Sequence, residues 1–154
     1  MKDSHIGTYG VIGLILYFLM SYVILSNIHP DFIPLIIISS DVFCKCISSH
    51  VVWFLPYARP ESESKNRTVY TRPTPLEEIL TVISGIAALT IIILPDKPFI
   101  TNYYNISLIA IMPIAVFCLL LLLFKKKIGG YTGDCCGALF LITELVFRFM
   151  TAVV

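Results

Sequence analysis

Five long runs of apolar residues, separated by short polar segments, dominate the pattern of the chain. A helix that crosses a bilayer needs about 20 mostly apolar residues, and about 17 are enough. The pattern predicts spanning helices at residues 11–28, 32–55, 79–94, 106–124 and 138–154. The second run is longer and more polar than the others, and the third is short. We therefore expect an all-α fold, a polytopic integral membrane helix bundle of about five transmembrane helices.

The composition supports this class of protein. Apolar residues make up 57% of the 154 residues and charged residues 14%, whereas soluble domains average roughly 25% charged. The mean hydropathy is +0.87. A net charge of +1 gives no indication of a nucleic-acid partner, and the length suits one helical bundle. We expect a single membrane domain over residues 1–154 that lies in a lipid bilayer and binds no nucleic acid.

The distribution of basic residues predicts the orientation, because cytoplasmic loops retain Lys and Arg. Residues 56–78 and the segment after the fourth run carry most of them: Arg59, Lys65, Arg67, Arg72, Lys125, Lys126 and Lys127. Five spans then place the amino terminus in the cytoplasm, and we expect a multi-pass protein of the bacterial cytoplasmic (inner) membrane. Residues 1–10, 56–78 and 125–137 should lie on one face, where they can share a site.

The segment KKKIGGYTGD precedes the last apolar run and carries the clearest candidate chemistry. Gly129, Gly130 and Gly133 permit positive φ and close approach of the backbone to a ligand. Thr132 or Asp134 can cap the following helix, and backbone amides at a helix start bind phosphate. The same residues would also serve simply to end one loop and begin one helix, so the pattern alone leaves both interpretations open.

Ionisable residues also occur inside the apolar runs. Glu144 lies about three turns deeper than Asp134 on the same predicted helix, and Arg148 follows at i+4. Charged groups at such depth are costly, so they are usually functional or paired. A structural pair and a catalytic Glu144 are both open alternatives. Asp41 and Lys45 are also spaced i,i+4, which favours a structural pair, and lining of a substrate cavity is the alternative.

Three motifs carry a specific resemblance to a known family. They are GGYTGD with Gly137, Ala138 and Glu144, the opening MKDSHIGTYG, and LPYARP at residues 55–60. In this order they resemble the cobalamin synthase family, the membrane enzymes also called adenosylcobinamide-GDP ribazoletransferases. The family's own motif is MKDSR-G-G, and His5 stands here where arginine is common.

The resemblance implies cobalamin (vitamin B12) biosynthesis and a phosphotransferase reaction. The cobinamide phosphoryl group would pass from adenosylcobinamide-GDP to α-ribazole or α-ribazole 5′-phosphate, with release of GMP and with Mg²⁺ as cofactor. It implies catalytic roles for Asp134, Asp3 and Glu144, with Asp134 and Asp3 as metal ligands. The implied substrate-binding residues are Lys2, Ser4, Arg59, Gly129, Gly130, Thr132 and Gly133.

One family feature does not occur in this sequence. Family members carry an aspartate-rich DG-x-x-D-x-x-DG pattern, expected to hold Mg²⁺, upstream of the MKDS motif, and this sequence begins at the methionine of MKDS itself. We therefore expect a truncated product, an internal start or one half of a split enzyme. The alternative function is that of a non-catalytic membrane fragment. The expected protein partner is a missing amino-terminal half or a second copy of the chain.

Overall fold

The computed structural model describes residues 7–58, 72–92 and 103–154, and most of them are helical. The helices are α1 (Thr8–Ser26), α2 (Ile33–Ser49), the single turn α3 (Val51–Phe54), α4 (Pro75–Ile91), α5 (Tyr103–Ile128) and α6 (Gly133–Val153). A 3₁₀ turn over Pro30–Phe32 leads into α2. The predicted all-α membrane bundle is confirmed.

Four helical stretches in the described part of the chain are long and apolar enough to cross a bilayer. They are Thr8–Ser26, Pro30–Phe54, Asn105–Ile128 and Gly133–Val153. They correspond to four of the five predicted spans. The remaining predicted span corresponds to α4, which has 17 helical residues in the described part of the chain.

Several helix boundaries differ from those that the apolar runs predicted, and two of them lie on either side of the GGYTGD loop. Helix α5 continues through the three lysines to Ile128, because cationic side chains are favourable in the last turn of a helix. It ends at Gly129, whose φ of 75° is a conformation that favours glycine. Helix α6 begins at Gly133 instead of residue 138, because Thr132 caps it by accepting a hydrogen bond from the Cys135 amide at 3.4 Å.

The start of α4 is fixed by a capping box. The Thr74 side chain accepts from the Glu77 amide at 3.4 Å, and the Glu77 carboxylate accepts from the Thr74 amide at 2.7 Å. Pro75 occupies the first helical position, where its missing N–H costs nothing. The hydrogen bonds from Thr74 hold the pKa of the Glu77 carboxyl below its usual value. Neighbouring residues in the sequence therefore determine where α4 begins.

Helix α2 lies against α4 and α6, and α6 also packs against α5 and α1. One buried cluster joins α2, α4, α5 and α6 through Phe43, Cys44, Ala88, Ile109 and Phe147. A second cluster joins α3, the middle of α5 and the start of α6 through Val51, Leu55, Phe117, Tyr131 and Leu139. Helix α1 buries only Ser21 completely. Its remaining surface is largely apolar and exposed, as lipid-facing residues are.

The polar segments of the described residues meet at one end of the bundle. His50, after α2, lies 2.8 Å from the Glu78 carboxylate at the start of α4. Tyr57 pairs with Tyr131, just before α6. Gly10 of α1 and the start of α6 line one groove. This agrees with the prediction that the three polar segments share a face, although residues 1–6 and 59–71 lie outside the described part.

Gly85 sets the distance between α2 and α4. A Cβ atom placed on Gly85 would lie 2.7 Å from Cys46 Sγ and 3.0 Å from Cys46 Cβ. Contacts this short do not occur between well-packed side chains, so the two helices could not keep their separation with a larger residue. Small residues at helix crossings are the usual means of close packing in membranes.

The substitution Gly85→Leu should therefore destabilise the bundle by about 1–3 kcal/mol, the usual cost of overpacking. The matched control is Gly13→Leu on α1, where an added Cβ meets nothing within 4 Å. The measurement is the fraction folded against denaturant in detergent micelles. Equal stability of the two variants would show that Gly85 does not determine the helix separation.

Candidate functional site

Two non-helical segments hydrogen-bond to each other at the polar end of the bundle. The Tyr131 amide donates to the Pro56 carbonyl at 3.0 Å, and the Ala58 amide donates to the Tyr131 carbonyl at 2.9 Å. They form an isolated parallel bridge between Tyr57 and Tyr131, whose rings lie edge to face with centroids 5.6 Å apart. Segment 55–58 of the LPYARP motif therefore lies directly against the GGYTGD loop.

Gly130 makes this pairing possible. A Cβ atom on Gly130 would lie 2.3 Å from the Pro56 carbonyl oxygen and 3.2 Å from the Ala58 nitrogen. Both are backbone atoms, which cannot turn away as a side chain can. The close approach observed at Gly130 is to the chain's own backbone, whereas the predicted approach to a ligand stays a prediction. Gly129 has the predicted positive φ.

Two amides of the loop already donate hydrogen bonds to backbone carbonyls of the chain. The Gly129 amide donates to carbonyls at the end of α5, and the Tyr131 amide donates to Pro56. A phosphate at this loop would therefore draw on the amides of Gly130, Thr132 and Gly133. Tyr131 is buried, and this burial raises the pKa of its phenol above the usual value. The Tyr131 ring is accordingly a neutral wall of the site.

Asp134 lies in the first turn of α6 and is exposed. It stands at one end of a groove of about 600 Å³ between α1 and α6, which is otherwise lined mainly by apolar and small residues such as Gly10, Gly13 and Ala138. A carboxylate is favourable at a helix start because the amides there carry partial positive charge. The predicted loop carboxylate is thus placed where it can meet a ligand.

Four predicted site residues fall outside the described part of the chain: Lys2, Asp3, Ser4 and Arg59. Their roles stay predictions. Among residues 7–58, 72–92 and 103–154, no group of three or more His, Cys, Asp or Glu side chains is arranged to hold a metal ion. Within these ranges Asp134 therefore belongs to no such group. One exposed carboxylate is a ligand that Mg²⁺ can use when phosphate oxygens and waters supply the others.

Glu144 and Arg148 are buried inside the bundle, with 2% and 8% of their surface exposed. Arg148 Nη2 donates to Glu144 Oε1, and the Tyr17 hydroxyl donates to Glu144 Oε2. Arg148 also donates to Ser40 Oγ at 3.1 Å and, through Nη1, to Tyr17 and Ser21 at 3.2 Å each. This polar network of five side chains connects α1, α2 and α6.

The network confirms the pairing that the i,i+4 spacing indicated. Glu144 lies ten residues after Asp134, or about 15 Å along the helix axis, and its two oxygens already accept hydrogen bonds. The catalytic role of Glu144 stays a prediction. Asp41 and Lys45 also form their predicted pair, at 2.8 Å, and Lys45 lines a small cavity with Phe140.

Sequence reasoning missed the partners of these charges. Tyr17 and Ser21 are polar residues one turn apart on an otherwise apolar helix, and that spacing was the available signal. Ser40 had no comparable signal. Reasoning from sequence also missed a second polar group, formed by Trp53, Glu78 and Arg72. In it Trp53 Nε1 donates to Glu78 Oε2 at 3.1 Å. The Arg72 guanidinium lies 5.3 Å from the Trp53 ring centroid.

Comparison with known proteins identifies relatives along the whole chain. The family model described as cobalamin-5-phosphate synthase matches residues 1–152. The chain is similar to proteins named adenosylcobinamide-GDP ribazoletransferase. It is 29% identical over 157 residues to the one from Shewanella baltica strain OS185, which covers 100% of this chain and 56% of the relative. It is 30% identical over 149 residues to the one from Vibrio parahaemolyticus, which covers 95% of this chain and 52% of the relative. The relative from Shewanella woodyi is 28% identical over 153 residues, covering 97% of this chain and 56% of the relative.

The chain spans about half the length of the curated relatives it matches. No solved structure matches it.

The substitution Gly130→Ala should break the pairing of the two segments, since its Cβ overlaps the Pro56 carbonyl oxygen. We expect a loss of about 1–3 kcal/mol in the free energy of unfolding, the usual cost of overpacking. Gly137→Ala is the control, because an added Cβ there meets nothing within 4 Å. Denaturant titration of the two variants measures the difference, and equal stabilities would contradict the backbone pairing.

Removal of the Tyr17 hydroxyl should destabilise the polar network. Tyr17→Phe leaves Glu144 Oε2 without its donor, while Oε1 still accepts from Arg148, and the cost should be about 1–3 kcal/mol. Tyr22→Phe on the same helix is the control, since Tyr22 is 72% exposed. The readout is thermal unfolding in detergent, and a Tyr17→Phe variant as stable as Tyr22→Phe would argue against the network.

Proposed function

The chain belongs to the cobalamin-5-phosphate synthase family, and from this premise we propose that it acts in cobalamin biosynthesis as an adenosylcobinamide-GDP ribazoletransferase. The observation that carries the proposal is the pairing of segment 55–58 with the GGYTGD loop at one end of a membrane bundle. Two polar motifs that are distant in sequence form one surface there, beside an exposed carboxylate.

The proposed reaction is a phosphoryl transfer. A hydroxyl oxygen of α-ribazole, or of its 5′-phosphate, forms a bond to the cobinamide phosphorus. The bridging P–O bond to the guanylate breaks, its electron pair leaves with GMP, and the hydroxyl proton passes to a base or to solvent. Such reactions depend chiefly on positioning and on neutralising the charge of the phosphates. The chain therefore needs to supply donors and positive charge more than a covalent nucleophile.

The GGYTGD loop supports this role through its backbone and its position. The amides of Gly130, Thr132 and Gly133 lie at the start of α6, where partial positive charge favours phosphate. The loop cannot shift easily, because Gly130 is held against Pro56. In the proposed site these amides bind the phosphoryl oxygens. Lys2 and Arg59 contribute positive charge and Ser4 a hydroxyl contact.

Asp134 is the proposed metal residue, together with Asp3. When bound, Mg²⁺ would neutralise phosphate charge and orient the diphosphate. The carboxylate of Asp134 fits this purpose because it is exposed at the end of the groove. We propose that the polar end of the bundle faces the cytoplasm of a bacterial inner membrane, since basic residues are retained on that side. Assembly with further membrane helices or with a second copy is compatible with the exposed apolar surface of α1.

The test uses membranes from cells that lack the enzyme and express this chain. Adenosylcobinamide-GDP and α-ribazole or its 5′-phosphate are supplied with Mg²⁺, and the cobalamin product and GMP are measured by mass spectrometry. We expect both products, their loss after chelation and their return when Mg²⁺ is added. Absence of product, with the chain present in the membrane, would overturn the assignment for this chain.

The substitution Asp134→Asn should lower kcat on the order of 100-fold, the usual effect of removing one group that stabilises transition-state charge. Asp31→Asn is the matched control, since the Asp31 side chain is 82% exposed in the turn before α2, at the other end of the bundle. Membrane insertion of both variants is checked by extraction and unfolding. Full activity of Asp134→Asn would remove Asp134 from the mechanism.

A further inference from the structure

A second cavity opens beside the paired segments. It has a volume of about 340 Å³ and is lined mainly by polar surface. Its walls include Trp53, Phe54, Tyr57, Tyr131 and Arg72. Tyr57 and Tyr131 belong to both the cavity and the backbone bridge. A ligand in this cavity would therefore lie next to the GGYTGD loop.

The Trp53 wall is held in place by a chain of contacts. Its indole N–H donates to Glu78 Oε2 at 3.1 Å, and Glu78 Oε1 lies 2.8 Å from His50 Nε2. His50 Nδ1 lies in turn 2.6 Å from the Cys46 carbonyl oxygen. Trp53 is nevertheless 43% exposed. An aromatic ring that is both fixed and accessible is a preorganised surface for stacking, because little rotamer entropy remains to be lost.

Arg72 adds a positive charge to this surface. Its guanidinium lies 5.3 Å from the Trp53 ring centroid, where it is attracted to the aromatic face. The guanidinium also carries several N–H donors, whose fork geometry matches that of phosphate oxygens. The cavity thus combines aromatic rings with a phosphate donor.

The size and polarity of the cavity indicate which part of the proposed substrates can bind in it. About 340 Å³ is near the low end of ligand cavities, which run from roughly 300 to 1,000 Å³, so a corrinoid ring does not fit. The base of α-ribazole is a dimethylated benzimidazole with an apolar edge. Guanine presents hydrogen-bond donors and acceptors along its edge, which suits the mainly polar surface of this cavity better than that apolar edge does.

We propose that this cavity binds the guanylate end of the donor substrate, with guanine against the Trp53 and Tyr57 rings and Arg72 on the phosphate. The proposal rests on the proposed transferase function and assigns a subsite within it. The bond that breaks joins the guanylate to the cobinamide phosphorus, so the leaving group would remain beside the GGYTGD loop. GMP, the released product, is then a ligand of the free chain.

Trp53 is the only tryptophan in the sequence, so its fluorescence reports directly on this cavity. The full chain in nanodiscs is titrated with GMP, and we expect saturable quenching as the base stacks on the indole. Arg72→Gln should weaken the apparent affinity for GMP at least about tenfold, which corresponds to ~1.4 kcal/mol. Lys126→Gln removes a cation from the end of α5 and should leave the affinity unchanged.

Three outcomes would overturn the subsite. They are saturable quenching by α-ribazole but not by GMP, a response to anionic lipid headgroups with none to GMP, and no response to any of these. Equal GMP affinity in Arg72→Gln and Lys126→Gln would remove Arg72 from it. Transferase activity is measured separately: an active chain without GMP quenching contradicts only the subsite. GMP binding by a chain without transferase activity contradicts the proposed reaction and leaves the subsite standing.

Discussion

The fold depends on a constraint that the bilayer imposes on the backbone. Polar main-chain groups at membrane depth must be satisfied inside the protein, so non-helical segments are confined to the ends of the bundle. Here segments 55–58 and 129–132 satisfy each other, through the amides of Tyr131 and Ala58. Gly130 permits the contact because it has no Cβ. The pairing fixes the loop that precedes α6, and the Thr132 cap then starts the helix that carries Asp134.

A second constraint holds α1 to the bundle. Helix α1 buries little apolar surface, but Tyr17 and Ser21 reach Arg148 and Glu144 in the interior. A buried charge that loses a partner is strongly destabilising, although a complete pair adds little net stability. The network therefore specifies the position of α1 more than it stabilises the fold. That position shapes the groove that leads to Asp134.

Sequence reasoning recovered what depends on local periodicity. Apolar runs located the helices, and i,i+4 spacing indicated the Glu144 and Arg148 pair as one of two alternatives. Sequence reasoning placed the start of α6 at residue 138 instead of Gly133, because Thr132 caps the helix before the apolar run begins. The contact of Gly130 with Pro56 and the assembly of Trp53, Arg72 and Glu78 were not predictable. They join residues far apart in the chain, whose spacing carries no periodic signal.

Hydrogen–deuterium exchange of the chain in nanodiscs, with and without adenosylcobinamide-GDP, tests most directly whether the paired segments form the substrate site. We expect slow exchange of the Ala58 and Tyr131 amides in the free chain, since both donate hydrogen bonds. We also expect the substrate to slow exchange further in residues 55–58 and 129–134 and to leave residues 27–31 unchanged. Fast exchange at both amides, or equal protection at residues 27–31, would contradict a substrate site at the paired segments.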